Sequence, residues 1–398
     1  MTQQHNISSK IVPRRLAGVL NLLLRDEAIG GKILIIATIF ALIAVNSPLR
    51  SAFESFWHLN LSIGLGNFSI SEDLKHWINE GLMAIFFLVV ALEIKREFVR
   101  GELSNFKAAS LPIAAAVGGM LVPALIYVFI NLQTDFLRGW GIPIATDIAF
   151  AIGVLAVIGN RLPSSLKVFL LTLAIVDDLL AIIVIAIFYT SSIQLTPLIM
   201  AATAIIALLI SRKLWPKSLM PFVLLGLLLW VFIKESGVHA TIAGALVGFL
   251  APVNTASHTS IAEKLEKSLI PVSTFIVIPL FALANAGISF AGLTIDRAYL
   301  PVMLGIGIGL IAGKVLGILS VAWIMTKLKL ANLPEGANWW HMTGLGLLAG
   351  IGFTVSIFIT ELAFAGNEPL IVIAKIAILI ASVFSAILGA IVLLMNRA

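Results

Sequence analysis

Apolar runs of membrane-crossing length follow one another along most of the chain, separated by short polar breaks. A helix that crosses the ~30 Å hydrocarbon core needs about 20 apolar residues. Runs at 30–49, 76–94, 110–130, 300–326 and 370–395 meet that need. The whole pattern predicts twelve spans, at about 30–50, 74–95, 108–130, 138–160, 165–190, 195–212, 218–233, 238–251, 268–288, 300–326, 338–360 and 370–395. The span at 238–251 is the shortest of them. The expected fold is an all-α integral membrane protein. Residues 30–398 form one transmembrane domain, preceded by a polar N-terminus at 1–29.

Two segments break the pattern. In residues 12–27, Leu16, Val19, Leu22 and Leu23 share one helical stripe, with the arginines and Asp26/Glu27 elsewhere. That predicts a short helix lying in the membrane interface. In residues 56–71, Trp57, Leu59, Leu61 and Ile63 alternate with polar residues, as do Phe68 and Ile70, with Gly64 and Gly66 between the runs. Period-two patterning around a glycine turn predicts a β-hairpin. A lone two-stranded hairpin is marginal in water, so it is expected to pair with the same hairpin of a second subunit, forming a homodimer.

Composition agrees. Hydrophobic residues make up 60% and charged residues 12% of the 398, against about 25% charged in soluble domains. The absence of cysteine excludes a disulfide framework, thiolate metal sites and a cysteine nucleophile. No apolar stretch followed by a small-residue cleavage site precedes Gly30, so no cleaved signal peptide is expected. The formal charge of +6 does not point to nucleic acid, because the cations collect on alternate loops. With the N-terminus in the cytoplasm, 19 of the 26 Lys and Arg residues fall on the cytoplasmic side and five on the other. The remaining two, Lys314 and Lys375, lie within spans. This is the positive-inside asymmetry, and it places both termini in the cytoplasm. Trp339 and Trp340 read as an interfacial aromatic anchor.

Four ionisable residues lie well inside apolar spans: Asp147, Asp177, Asp178 and Lys314. A charge at the bilayer centre costs ~2.5–3.5 kcal/mol on insertion scales. One structural salt bridge could account for Lys314 and one aspartate, but not for all three aspartates. Asp177 and Asp178 sit ten and eleven residues beyond Lys167, roughly 15 Å along a helix and near the midplane. Adjacent helix residues point about 100° apart, so one carboxylate can face a water-filled cavity and the other a partner helix. Two carboxylates this close resist ionising together, and a hard cation such as Na⁺ prefers oxygen ligands. Proton and cation would compete for one place, which is the chemistry of an antiporter.

Asp147 lies in GIPIATDIAFAIG, where Pro143, Gly141 and Gly153 weaken the helix and Thr146 offers a hydroxyl. Gly344, Gly346, Gly350 and Gly352, followed by Thr354, mark a second candidate break; a glycine-rich helix contact is the other reading. The two breaks fall in the fourth and eleventh spans, each the middle of a three-span group at 108–190 and 300–395. These groups enter the membrane from opposite sides, an inverted repeat with its site where the broken helices cross. Half-helix N-termini carry partial positive charge and C-termini partial negative charge. Asp147 can offset the former and Lys314 the latter.

Two other classes compete. A passive cation channel needs a continuous pore, often with a ring of carboxylates or carbonyls. An intramembrane aspartyl protease needs two carboxylates converging on one water, whereas neighbours on one helix diverge. A transporter, not an enzyme, is expected. Glu80 and Glu361, at span ends, read as solvated, and His239 as either special or merely interfacial.

The sequence closely resembles the NhaA family of bacterial Na⁺/H⁺ antiporters. The likeness is carried by FFLVVALEIKREFVRGEL (86–103), GIPIATDIAFAIGVLAV (141–157), LTLAIVDDLLAI (171–182), KESGVHATIAGALVG (234–248), IPLFALANAG (278–287), GKVLGI (313–318) and LLAGIGFTVSIFI (347–359). It is collinear from roughly residue 20 to the C-terminus. The resemblance implies that Asp178 is the principal Na⁺ and proton carboxylate and that Asp177 is the second, paired with Lys314 when Na⁺ is absent. It implies that Thr146 and Asp147 sit at the helix crossing, and that Glu93, Arg96, Glu97 and Glu266 belong to a cytoplasmic cluster tuning activity with pH. His239 matches a family histidine near the opposite face. The family extrudes Na⁺ (Li⁺ is also accepted) from the cell across the inner membrane, moving more protons than sodium ions. The resemblance implies no cofactor. Some members carry histidines after the glutamate matching Glu266; here Lys267 and Ser268 follow, with Ile270 a turn away.

Overall fold

The computed structural model describes residues 27–65, 68–158, 162–190, 193–215, 218–253, 260–291 and 296–395. The expected interfacial helix at 12–27 lies outside the described residues except for Glu27, which opens the first helix.

The chain is mostly helical, with one small two-stranded sheet. Helix α1 (Glu27–Val45) turns through 118° into the short α2 (Arg50–Trp57). Strands β1 (Asn60–Leu65) and β2 (Phe68–Asp73) lead into α3 (Leu74–Arg100). Then follow α4 (Phe106–Asn131), a tight helical segment at Leu137–Ile144, α5 (Ile148–Ile158), α6 (Ser164–Phe188), α7 (Leu195–Leu214), α8 (Met220–Glu235) and α9 (Thr241–Leu250). The chain ends with α10 (Ile261–Asn285), α11 (Arg297–Lys327), α12 (Trp339–Ala349), α13 (Phe353–Ala363) and α14 (Glu368–Met395). Among the described residues, eight helices are long and apolar enough to cross a membrane, or ten if each of two bent pairs is one span. Of the expected spans, 218–233 and 238–251 correspond to helices of 16 and 10 residues.

Two boundaries differ from expectation. The hairpin expected at 56–71 occupies 60–73 instead, paired antiparallel with Ile63 opposite Ile70. Trp57 closes α2 rather than opening a strand. The i,i+4 ion pair Arg50–Glu54 favours helix there, and period-two apolar spacing over so few residues does not exclude one. The ninth expected span begins earlier than 268. Ser260 caps α10, accepting a hydrogen bond from the backbone N–H of Glu263, so Glu266 sits on the helix and is buried.

The helices pack as two groups. Residues 106–188 and 297–395 form one, through contacts of α4 with α6 and α11 and of α14 with α11, α12 and α13. Residues 27–100 and 195–285 form the other, through α3 with α9, α7 with α8 and α1 with α10. Small residues permit the closest approaches. A Cβ on Gly244 would land on the carbonyl of Ala84, and Gly118 and Gly317 face each other backbone to backbone. The seam between the groups runs where α1 meets α5, α3 meets α6 and α10 meets α13.

Candidate functional site

All four intramembrane ionisable residues are buried. Lys314 follows a wide helical turn at Gly309–Gly313 in α11. Its Nζ donates to Asp177 Oδ2 at 2.6 Å and to Thr146 Oγ1 at 3.0 Å. Thr146 Oγ1 in turn donates to the carbonyl of Ala349, the last residue of α12, at 2.8 Å. The ammonium thus reaches a helix C-terminus through one hydroxyl, where partial negative charge collects.

Asp147 performs the converse task. It lies in residues 145–147, between the tight helical segment and α5. Its Oδ1 accepts from the backbone N–H of Phe150 at 3.0 Å. Its Oδ2 accepts from the N–H of Thr354 at 3.1 Å and from Thr354 Oγ1 at 2.5 Å. One carboxylate therefore satisfies orphan donors at the N-termini of both α5 and α13. The backbone N–H of Asp147 also donates to the carbonyl of Ile351 at 2.6 Å. Residues 350–352 lie between α12 and α13, which are bent by 45°. Gly350 and Gly352 leave room there: a Cβ on either would press on Leu310 and on the hydroxyl of Ser385 or Ser356.

Asp177 and Asp178 have different surroundings, as their divergence on α6 requires. Asp177 faces Lys314. Asp178 lines a cavity of about 100 Å³ together with Glu93, Thr146, Asp147 and Thr354. The cavity lies on the seam, since Ile270, Thr274 and Ile278 of the other helix group complete its wall. A second cavity of about 340 Å³, lined by Arg96, Glu97, Glu263, Glu266 and Lys267, shares Ile270 with the first. Glu266 accepts from Arg96, which also pairs with Glu97 at 3.2 Å, and Arg100 pairs with Glu263. His239 lies apart from these groups. Its Nδ1 is 3.3 Å from Glu80 Oε1 and its Nε2 2.9 Å from the carbonyl of Tyr189.

Two glutamates expected to be solvated are not. Glu80 also accepts from the backbone N–H of Ala240 at 2.8 Å, which ties α3 to the start of α9. Glu361 bridges Lys75 at 3.1 Å and Lys375 at 2.6 Å. At a span end a carboxylate reads as wet, and only the neighbouring Lys375, inside the last span, signalled that a partner was needed.

A polytopic membrane protein with buried, differently partnered carboxylates and helix breaks hydrogen-bonded to each other belongs to the ion-coupled transporters as a class. The family described as Na⁺/H⁺ antiporter 1 matches residues 21–393, and the chain belongs to it. The chain is 48% identical over 368 residues to the Na⁺/H⁺ antiporter NhaA of Yersinia enterocolitica, covering 92% of this chain and 94% of that protein. It is 45% identical to the NhaA of Shewanella pealeana, with the same coverage.

Proposed function

We propose that this protein exchanges Na⁺ for protons across the bacterial inner membrane by alternating access, extruding Na⁺ (and Li⁺) at the expense of the proton gradient. The observation that carries the reading is the split between the two aspartates: Asp178 opens into the cavity at the seam, while Asp177 holds Lys314. Asp178 is the carboxylate for which Na⁺ and protons compete, and Asp177 trades between proton, ion and Lys314. Thr146, Asp147 and Lys314 support the site, and the stretch containing Gly350, Gly352 and Thr354 completes it. Each cycle moves more protons than sodium ions, so transport is electrogenic.

The topology that fits has twelve spans with both termini in the cytoplasm, a single domain over 30–398, and inverted repeats at 108–190 and 300–395 whose interrupted helices cross near the midplane. The hydrogen bonds between residues 146–147 and 349–354 support that crossing. Glu93 lines the Asp178 cavity and Arg96, Glu97 and Glu266 line the cavity adjoining it at Ile270, which supports their role as a cytoplasmic pH-response cluster; His239, with Glu80, would act from the opposite face. The exposed Leu59, Leu61 and Ile63 beside β2 support homodimerisation through the hairpin. Deleting residues 60–73 should yield monomers by native mass spectrometry, and retention of dimers would rule the hairpin out as the contact.

Adding Na⁺ to the purified protein should release protons, and Na⁺ efflux from proteoliposomes should require proton entry. Na⁺ running down its own gradient with no proton movement would mean a channel. Two carboxylates as differently placed as these also do not suit a protease dyad sharing one water.

A further inference from the structure

We infer that Lys75 and Glu361 form a latch that holds the seam shut on the face carrying the hairpin. The inference rests on the alternating-access reading. Such transporters rock one helix group against another around a fixed site, so one face must be closed when the other is open. Lys75 lies in the first turn of α3, two residues after β2, and belongs to the group of residues 27–100 and 195–285. Glu361 ends α13, in the other group. Their ion pair at 3.1 Å therefore crosses the seam. Beneath it Phe358, one turn from Glu361, packs on Phe87 and Phe281 across the same seam, with ring centroids 5.6 and 6.2 Å apart.

The opposite face is arranged otherwise. There the two adjoining cavities lead toward Asp178. The ion pairs Arg96–Glu266, Arg96–Glu97 and Arg100–Glu263 stay within one helix group, so they do not resist separation of the two.

Lys375 makes such a latch reversible. Breaking a buried ion pair normally strands a charge. Here Glu361 keeps Lys375, from its own group, at 2.6 Å. Lys75, the most exposed of the three at 22%, can return to water. Three charges thus divide their work: one pair stays through the cycle, and one pair opens.

The test uses the chain's lack of cysteine. Thr274→Cys, in the wall of the site cavity, supplies a single thiol. In right-side-out vesicles a membrane-impermeant maleimide then reads access from the hairpin face. Labelling should rise under Na⁺/H⁺ turnover. Lys75→Ala should raise the resting labelling rate about fivefold, the effect of losing a partly buried ion pair. Glu361→Gln should do the same. Lys375→Met, which leaves the cross-seam pair in place, should not raise it. If Lys75→Ala lowers the melting temperature but leaves resting labelling unchanged, while turnover still exposes the thiol, the pair is structural and the latch is wrong. If turnover never exposes the thiol to the hairpin face, alternating access itself fails, and the latch with it.

Discussion

Replacement of Asp178 by Asn is expected to reduce Na⁺-dependent proton release in everted vesicles to background, with expression and membrane insertion intact. Asparagine keeps the shape of the side chain but cannot exchange a proton, and it offers Na⁺ a dipole in place of a charge. Asp178 is buried and faces the cavity rather than a partner cation, so the substitution strands no lysine. Loss of exchange is thus expected without loss of fold. Glu93 and Asp147 line the same cavity as Asp178, but among the described residues no three His, Cys, Asp or Glu side chains are grouped so that they could hold a metal ion. A Na⁺ ion at Asp178 would complete its oxygen shell from hydroxyls, carbonyls or water, none of which can replace the carboxylate's charge. Normal exchange by Asp178→Asn would sink the assignment.

Lys314→Ala is expected to act first on stability. Both side chains of the Lys314–Asp177 pair are almost fully buried. Removing one partner of a buried pair costs about 3–5 kcal/mol, because the other charge is left uncompensated. Thr146 also loses its donor from Lys314. The melting temperature in detergent should fall accordingly. The double variant Lys314→Met with Asp177→Asn should recover much of it, since no unpaired charge remains. The reverse pattern, an unchanged melting temperature with Na⁺ response lost, would make Lys314 part of the ion site rather than its support.

Much of this was legible in the sequence, for a physical reason. Carboxylates and an ammonium inside apolar runs cannot be accidental when each costs kilocalories, so Asp147, Asp177, Asp178 and Lys314 marked a candidate site before any contact was known. The divergence of Asp177 and Asp178 followed from helix geometry alone. Glu361 was misread because hydropathy locates span ends but not which neighbours cover them. Its partners, Lys75 and Lys375, are 286 residues before it and 14 after it, and no local pattern links the three. The hairpin was placed too early for a related reason: Trp57 continues the alternation of Leu59, Leu61 and Ile63 but is the last residue of the helix in which Arg50 pairs with Glu54. The ninth expected span begins at 268, past Glu266, because a charged helical turn looks like a break; in the structure the helix starts at the Ser260 cap.

The two cavities that meet at Ile270 also decide where the membrane voltage acts. Water conducts and packed protein does not, so with both cavities filled by water the field would concentrate between Asp178 and the hairpin face. Each elementary charge carried through 100 mV exchanges about 2.3 kcal/mol with the field. In the proposed cycle an ion entering from the Arg96–Glu266 face crosses little of that drop, so loading is expected to be nearly blind to voltage. The steps of that cycle that turn the site between the two faces, outward with Na⁺ and inward with protons, carry almost all of it.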